Sequence, residues 1–166
     1  MIDANSVPAR SGIRPRTTPT NPHTQLDQQP LDRSLRDRLA QRVFALPDVE
    51  ERPSMISVPG ARAMWLRDHV PAGPPDAFMI GREFAHLHPD PDQSAHAALP
   101  PEVAQAAIDA GWAELHPVAR RGLIPPTTVM IYAPRTGDEL EIVFQLILSS
   151  YKFAGGQLSS AAEIEV

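Results

Sequence analysis

Two histidines one residue apart, His86 and His88, and a third at His96 lie in the stretch from Gly81 to His96. Imidazole titrates near neutral pH and is a common ligand of zinc, iron and copper. Three of them together could hold a metal with an open position, or serve as acid–base groups without one. In a strand alternate side chains share a face, so Arg82, Phe84, His86 and His88 are expected to point the same way. Pro89 to Gln93 form a turn candidate, and Ser94 to Leu99 can return as a second arm. In the symmetric register Ser94 faces His88 and His96 faces His86. A slip of one residue would send His96 to the other face. Arg82 could hold an oxyanion or an acidic substrate group through its planar fork, or simply pair with Glu83 or Asp76. Glu83 is expected on the opposite face and Asp90 and Asp92 in the turn, which leaves the imidazoles without a carboxylate. The plain alternative is a strand that ends in histidines at a solvated edge.

A second constellation runs from Gly111 to Pro117. Extended, it places Trp112, Glu114 and His116 on one face, as an aromatic wall beside a proton-handling pair. A tryptophan in such a place is more often core. Tyr132 and Arg135, at the end of a strand, could reach the same site. Ser94 sits in no nucleophile elbow, and no glycine-rich phosphate loop is present. The candidate catalytic set is therefore His86, His88, His96 and Arg82, with Phe84, Ser94, Trp112, Glu114, His116 and Tyr132 as substrate-binding candidates. If a metal binds, its ligands would be His86, His88 and His96.

The elements that position these residues follow from periodicity. Leu31, Leu35, Leu39, Val43 and Leu46 recur at helical spacing and Pro47 stops the run. Ser54–Val58 and Arg62–Leu66 have strand character and are parted by Pro59-Gly60, which predicts a hairpin. Pro101 opens a short helix to Ala110 that Gly111 closes. Thr127 to Tyr132 is the best strand by β-branched content. Thr136-Gly-Asp-Glu139 predicts a capping box, and the helix it opens carries Leu140, Val143, Phe144, Ile147, Leu148 and Tyr151. Hairpins interleaved with three helices predict an α+β fold with a mostly antiparallel sheet.

The chain has 166 residues, which suits one domain. Residues 1–30 hold five prolines and no periodicity and read as a disordered arm, and residues 155–166 as a flexible tail, around a domain at 31–154. A net charge of −5 with interspersed signs, two Trp and two Tyr argue against nucleic acid. The absence of cysteine excludes disulfides, a thiol nucleophile and a thiolate metal site. No apolar run approaches the roughly 20 residues of a membrane span, so a cytoplasmic protein without a membrane partner is expected.

Several of these strings occur together in one family. Arg-Glu-Phe-Ala-His-Leu-His (82–88), Ser-Ala-His-Ala-Ala-Leu (94–99), Gly-Trp-Ala-Glu-Leu-His-Pro-Val-Ala (111–119), Pro125-Pro126-Thr127 and Ile131-Tyr-Ala-Pro-Arg135 follow in fixed order. The segment from Arg82 to Tyr151 resembles the luciferase-like domain family, which includes the luciferase of bioluminescent fungi and many bacterial members. The fungal enzyme oxidises a hydroxylated pyrone with molecular oxygen, releasing carbon dioxide and light without a metal or flavin. For this chain the resemblance implies an oxygenase-type oxidoreductase acting on a small aromatic or enolic molecule, with oxygen as co-substrate and no other cofactor. His86, His88 and His96 would deprotonate the substrate and Arg82 would steady its anion. A three-histidine metalloenzyme and a non-catalytic binding domain are the alternatives.

Overall fold

A computed structural model describes residues 2–157. Six strands form one sheet: β1 (Val49–Pro53), β2 (Arg62–Leu66), β3 (Glu83–Leu87), β4 (Ala95–Ala98), β5 (Ala113–Leu115) and β6 (Thr128–Ile131). Their order is β1-β2-β3-β4-β6-β5, and every neighbouring pair is antiparallel. Three helices complete the expected α+β architecture: α1 (Ser34–Phe44), α2 (Pro101–Asp109) and α3 (Gly137–Ala154). None is long and apolar enough to cross a membrane, among the described residues.

Period-two alternation gives the sheet two chemically different faces. On one, Ala85, Leu87, Ala95, Ala97, Val129 and Ile131 join Leu140, Val143 and Ile147 of α3 in the hydrophobic core. The alanines of β3 and β4 leave room for the helix to lie close. On the other, a ladder runs straight across five strands: Ala63, His86, His96, Met130 and Glu114. His86 and His96 are direct cross-strand partners, and the His88 amide donates to the Ser94 carbonyl. The register expected from the turn is the register observed.

Alternation fails at the start of β3. Met64 pairs with Ala85 but Trp65 pairs with Glu83, so Phe84 is an extra residue in a β-bulge. The bulge turns Phe84 away from the histidines and into the helix-side core, its ring 6.1 Å from that of Tyr151. Ser150 of α3 lies across the irregularity, its hydroxyl 2.7 Å from the Ala98 carbonyl and 3.1 Å from that of Phe84. Gly81 enters the bulge at φ +54, where an added Cβ would fall 2.6 Å from the Trp65 ring.

Other expectations need correction. β2 pairs with Val49–Pro53, not with Ser54–Val58; the latter segment is a loop because Ser54 and Met55 hydrogen-bond to Glu83. α1 begins at Ser34, leaving Leu31 fully exposed. Thr136 caps α3 through the Glu139 amide, but the Glu139 carboxylate takes the Arg135 amide and guanidinium in place of closing the box.

Residues 2–30, read from composition as disordered, lie packed against the sheet. Thr17 and Gln25 form an isolated bridge, and Arg10, His23 and Gln25 are buried. Ile2 and Val7 pack against the core, and the other anchors are polar: Arg14 donates to the Ala113 carbonyl, Gln25 accepts from the Ala133 amide, and Pro8 accepts from Trp112. An arm anchored by hydrogen bonds carries no apolar period, so composition alone could not reveal it. Of the expected tail, residues 158–166 lie outside the described residues.

Candidate functional site

Five imidazoles, not three, converge on the non-helical face. His86 comes from β3, His88 from just beyond it, His96 from β4, His116 from beyond β5, and His23 from the N-terminal arm. All are buried. His86 Nε2 lies 3.1 Å and His88 Nε2 lies 2.8 Å from His96 Nδ1. On its other edge His96 Nε2 lies 2.9 Å from His23 Nδ1. Their rings line a cavity of about 210 Å³ together with apolar Ile56, Val58, Met79 and Ile124.

The outer ring nitrogens of His86, His88 and His23 each have a carboxylate. His86 Nδ1 is 2.8 Å from Glu83, which also accepts from Ser54 and the Met55 amide. With Ser54 and the Met55 amide both donating to it, the carboxyl group is placed as an acceptor toward His86. His88 Nδ1 lies 3.1 Å from Asp92 and 2.9 Å from Ser94, whose hydroxyl donates to Asp92 at 2.6 Å. His23 Nε2 is 2.9 Å from Glu114, which accepts also from Thr17 and Tyr132. The expectation that no carboxylate attends the imidazoles is thus overturned. The bulge brings Glu83 round to the histidine side, and the turn folds Asp92 back beneath His88.

Burial governs the electrostatics. It lowers the pKa of His86 despite the opposing Glu83 hydrogen bond. It lowers His96 well below the ordinary value, reinforced by the four imidazoles around it. His116 is pushed down to about 4 by burial and by its neighbours His23, His86 and His88, so it is neutral at physiological pH. Burial pushes Asp92 and Glu114 up, but the hydrogen bonds they accept outweigh it and hold both below the usual carboxylate range. Tyr132 is raised to about 12, chiefly by burial, so its hydroxyl stays protonated and donates to Glu114.

Of the residues singled out in the sequence, His86, His88, His96 and His116 line the cavity, and Ser94 and Glu114 stand directly behind it. Tyr132 supports Glu114 from farther out. Three candidates lie elsewhere. Arg82 donates to the carbonyls of Leu66, Arg67 and Val70 and so fixes a loop, because the bulge separates it from the histidine face. Phe84 is core for the same reason. Trp112 is core too, with its indole nitrogen bound to the Pro8 carbonyl. The residues that sequence reasoning missed are His23, Glu83 and Asp92. His23 lay in a segment without pattern. Asp92 did carry a local signal, since an Asp two residues before a Ser commonly binds its amide.

The chain is similar to known proteins of one family. Residues 81–150 match the model of a family described as the luciferase domain. The luciferases of Armillaria gallica and Armillaria ostoyae are each 30% identical to the chain over 160 residues, and that of Neonothopanus nambi is 30% identical over 158. Each of these alignments takes in 87% of this chain and 59% of the relative, so the chain spans well under two thirds of their length. No solved structure matches the chain.

Proposed function

Since the chain belongs to the luciferase-like domain family, we propose that its histidine pocket binds a compact enolic or aromatic molecule, pyrone-like in character, and promotes its oxygenation. One observation carries this reading: imidazole nitrogens, those of His86 and His88 backed by carboxylates, line a partly apolar cavity. The cavity, at about 210 Å³, falls below the roughly 300–1,000 Å³ of common ligand pockets, which favours a small substrate.

In this mechanism the enol proton passes to Nε2 of His86 or His88. Glu83 and Asp92 hold the Nδ1 proton of each ring and stabilise the imidazolium that forms, the role of the carboxylate in a catalytic triad. His116 accepts the Val118 amide at Nδ1, which places its own proton on Nε2 and makes it a neutral donor for the enolate oxygen. Apolar walls limit water and strengthen both interactions. Molecular oxygen would then add at the enolate carbon, the enolate electron pair forming the new C–O bond, and the resulting peroxide would take back the proton held at Nε2, so no external reductant is required.

Oxygen uptake measured with hydroxypyrones tests the proposal. The wild-type chain is expected to consume oxygen and His86→Ala to lose at least ~100-fold of that rate. Tight pyrone binding without uptake would instead support a non-catalytic binding domain, and equal uptake by the variant would sink the assigned role.

A further inference from the structure

Counting ring protons exposes a deficit at the centre of the cluster. A neutral imidazole carries one proton. The proton of His86 lies toward Glu83 and that of His88 toward the Asp92–Ser94 pair, because carboxylates only accept. Both Nε2 atoms therefore present lone pairs, and both present them to His96 Nδ1 at 3.1 and 2.8 Å. His23 likewise gives its proton to Glu114 and turns a lone pair on His96 Nε2 at 2.9 Å. His96 has a single proton for three facing acceptors. Wherever that proton sits, nitrogens with lone pairs remain turned on one another in a buried, low-dielectric place. Adding protons is opposed by the same burial.

We infer that a divalent transition-metal cation of the zinc, cobalt or iron type binds between His86 Nε2, His88 Nε2 and His96 Nδ1. One ring nitrogen of each residue lies within 4.8 Å of the others, and Nε2 of His86 and of His88 are 3.1 and 2.8 Å from His96 Nδ1, consistent with metal–nitrogen bonds of roughly 2.0–2.1 Å. One cation there removes the whole deficit. His96 then keeps its proton on Nε2 and donates it to His23, which donates to Glu114. The outer nitrogens of all three ligands are then engaged, by Glu83, by Asp92 with Ser94, and by His23; such partners fix ring orientation and raise basicity at metal-binding histidines. Among the described residues three protein ligands converge there, a number that would leave room for a non-protein ligand.

A second trio, His23, His96 and His116, has comparable spacing but fails the same count. The Val118 amide occupies Nδ1 of His116 and its proton occupies Nε2, so that ring offers no free lone pair. A cation there would also leave His86 and His88 competing for one proton. His23 is consequently a positioning residue, and its task is to hold His96 in the tautomer that ligates.

The cation site shares the pocket assigned above to the substrate, and any part it plays in oxygenation rests on that assignment; its existence does not. A bound cation would occupy the lone pairs otherwise available to take the enol proton, and its charge would instead favour the enolate directly.

The test uses the full chain, purified without a histidine tag, stripped with chelator and titrated with Co²⁺. One equivalent is expected to bind with visible ligand-field absorption and to be displaced by Zn²⁺. His86→Ala and His88→Ala should abolish the bands, His116→Ala should keep them, and His23→Ala should bind ~10–100-fold more weakly with the same stoichiometry. Absence of binding by wild type would overturn the inference whatever the variants do. Bands that survive His86→Ala but vanish in His116→Ala would overturn the choice of ligands. Oxygen uptake separates the two claims: uptake that persists in metal-free protein supports the enzyme and overturns any part for the cation in oxygenation, while the Co²⁺ titration alone decides the site. Stoichiometric Co²⁺ without uptake of any hydroxypyrone supports the cation and removes the enzyme.

Discussion

At the scale of single residues, the site depends on where a few protons are held. Glu83 shows this most clearly. It is a fully buried carboxylate, and its three hydrogen bonds offset a desolvation cost that would otherwise be several kcal/mol. Glu83→Gln keeps the shape and can still accept from Ser54, but its amide cannot enforce a proton on His86 Nδ1. The His86 ring is then free to carry its proton on Nε2, facing His96. The expected result is a ~10–100-fold loss of Co²⁺ affinity with a near-native circular dichroism spectrum. An unaltered affinity would show that Glu83 does not control the tautomer. Ser94→Ala removes a weaker contact, since Asp92 remains to accept from His88, and its effect should be clearly the smaller of the two.

At the scale of elements, the bulge in β3 and the N-terminal arm decide which residues meet. An unbroken β3 would set Phe84 beside His86 and turn Glu83 into the hydrophobic core, where a carboxylate has no place. One extra residue exchanges the two, and Ser150 of α3 binds the Phe84 carbonyl there. Ser150→Ala leaves the Phe84 and Ala98 carbonyls short of a donor in a dry interior and is expected to cost roughly 1–3 kcal/mol, read from urea denaturation midpoints; a loss no larger than that of an exposed Ser→Ala change would refute the pinning role. The arm makes a different claim. Trypsin cleaves extended, mobile backbone, whereas Arg10 is buried and held by hydrogen bonds to the Ile13 carbonyl and to Gln28. Cleavage after Arg10 should be at least ~100-fold slower in the native chain than in urea-unfolded chain, and should accelerate in His23→Ala. Cutting at the unfolded rate would mean that the arm does not roof the site.

At the scale of the whole molecule, the sequence disclosed what periodicity and turn chemistry encode. The α+β class, the β3–β4 register that opposes His86 to His96, α2 between Pro101 and Gly111, and the cap at Thr136 were all legible. The bulge was not, because one inserted residue leaves no trace in an alternating string. The arm and the loop at Ser54 were illegible for a related reason: hydrogen-bonded irregular chain has no period, and those two segments supply His23 and the partners of Glu83. The assembled cluster also has a consequence for stability that no single residue carries. In the unfolded chain histidine titrates near about 6.5, while His86, His96 and His116 are all depressed on folding, His116 to about 4. Between those values the unfolded state binds more protons than the folded state, so stability rises with pH. It is fully present above the unfolded value and is lost as pH falls toward about 4. His116 alone accounts for about 3 kcal/mol over that window, and the lowered Asp92 and Glu114 extend the loss to more acid pH. Chelator-treated protein should therefore show a urea midpoint that drops steeply between about pH 7 and about pH 4.5. Replacing His116 with Gln should flatten part of that slope, and a midpoint indifferent to pH across the window would mean that the imidazoles are not buried together as neutral rings.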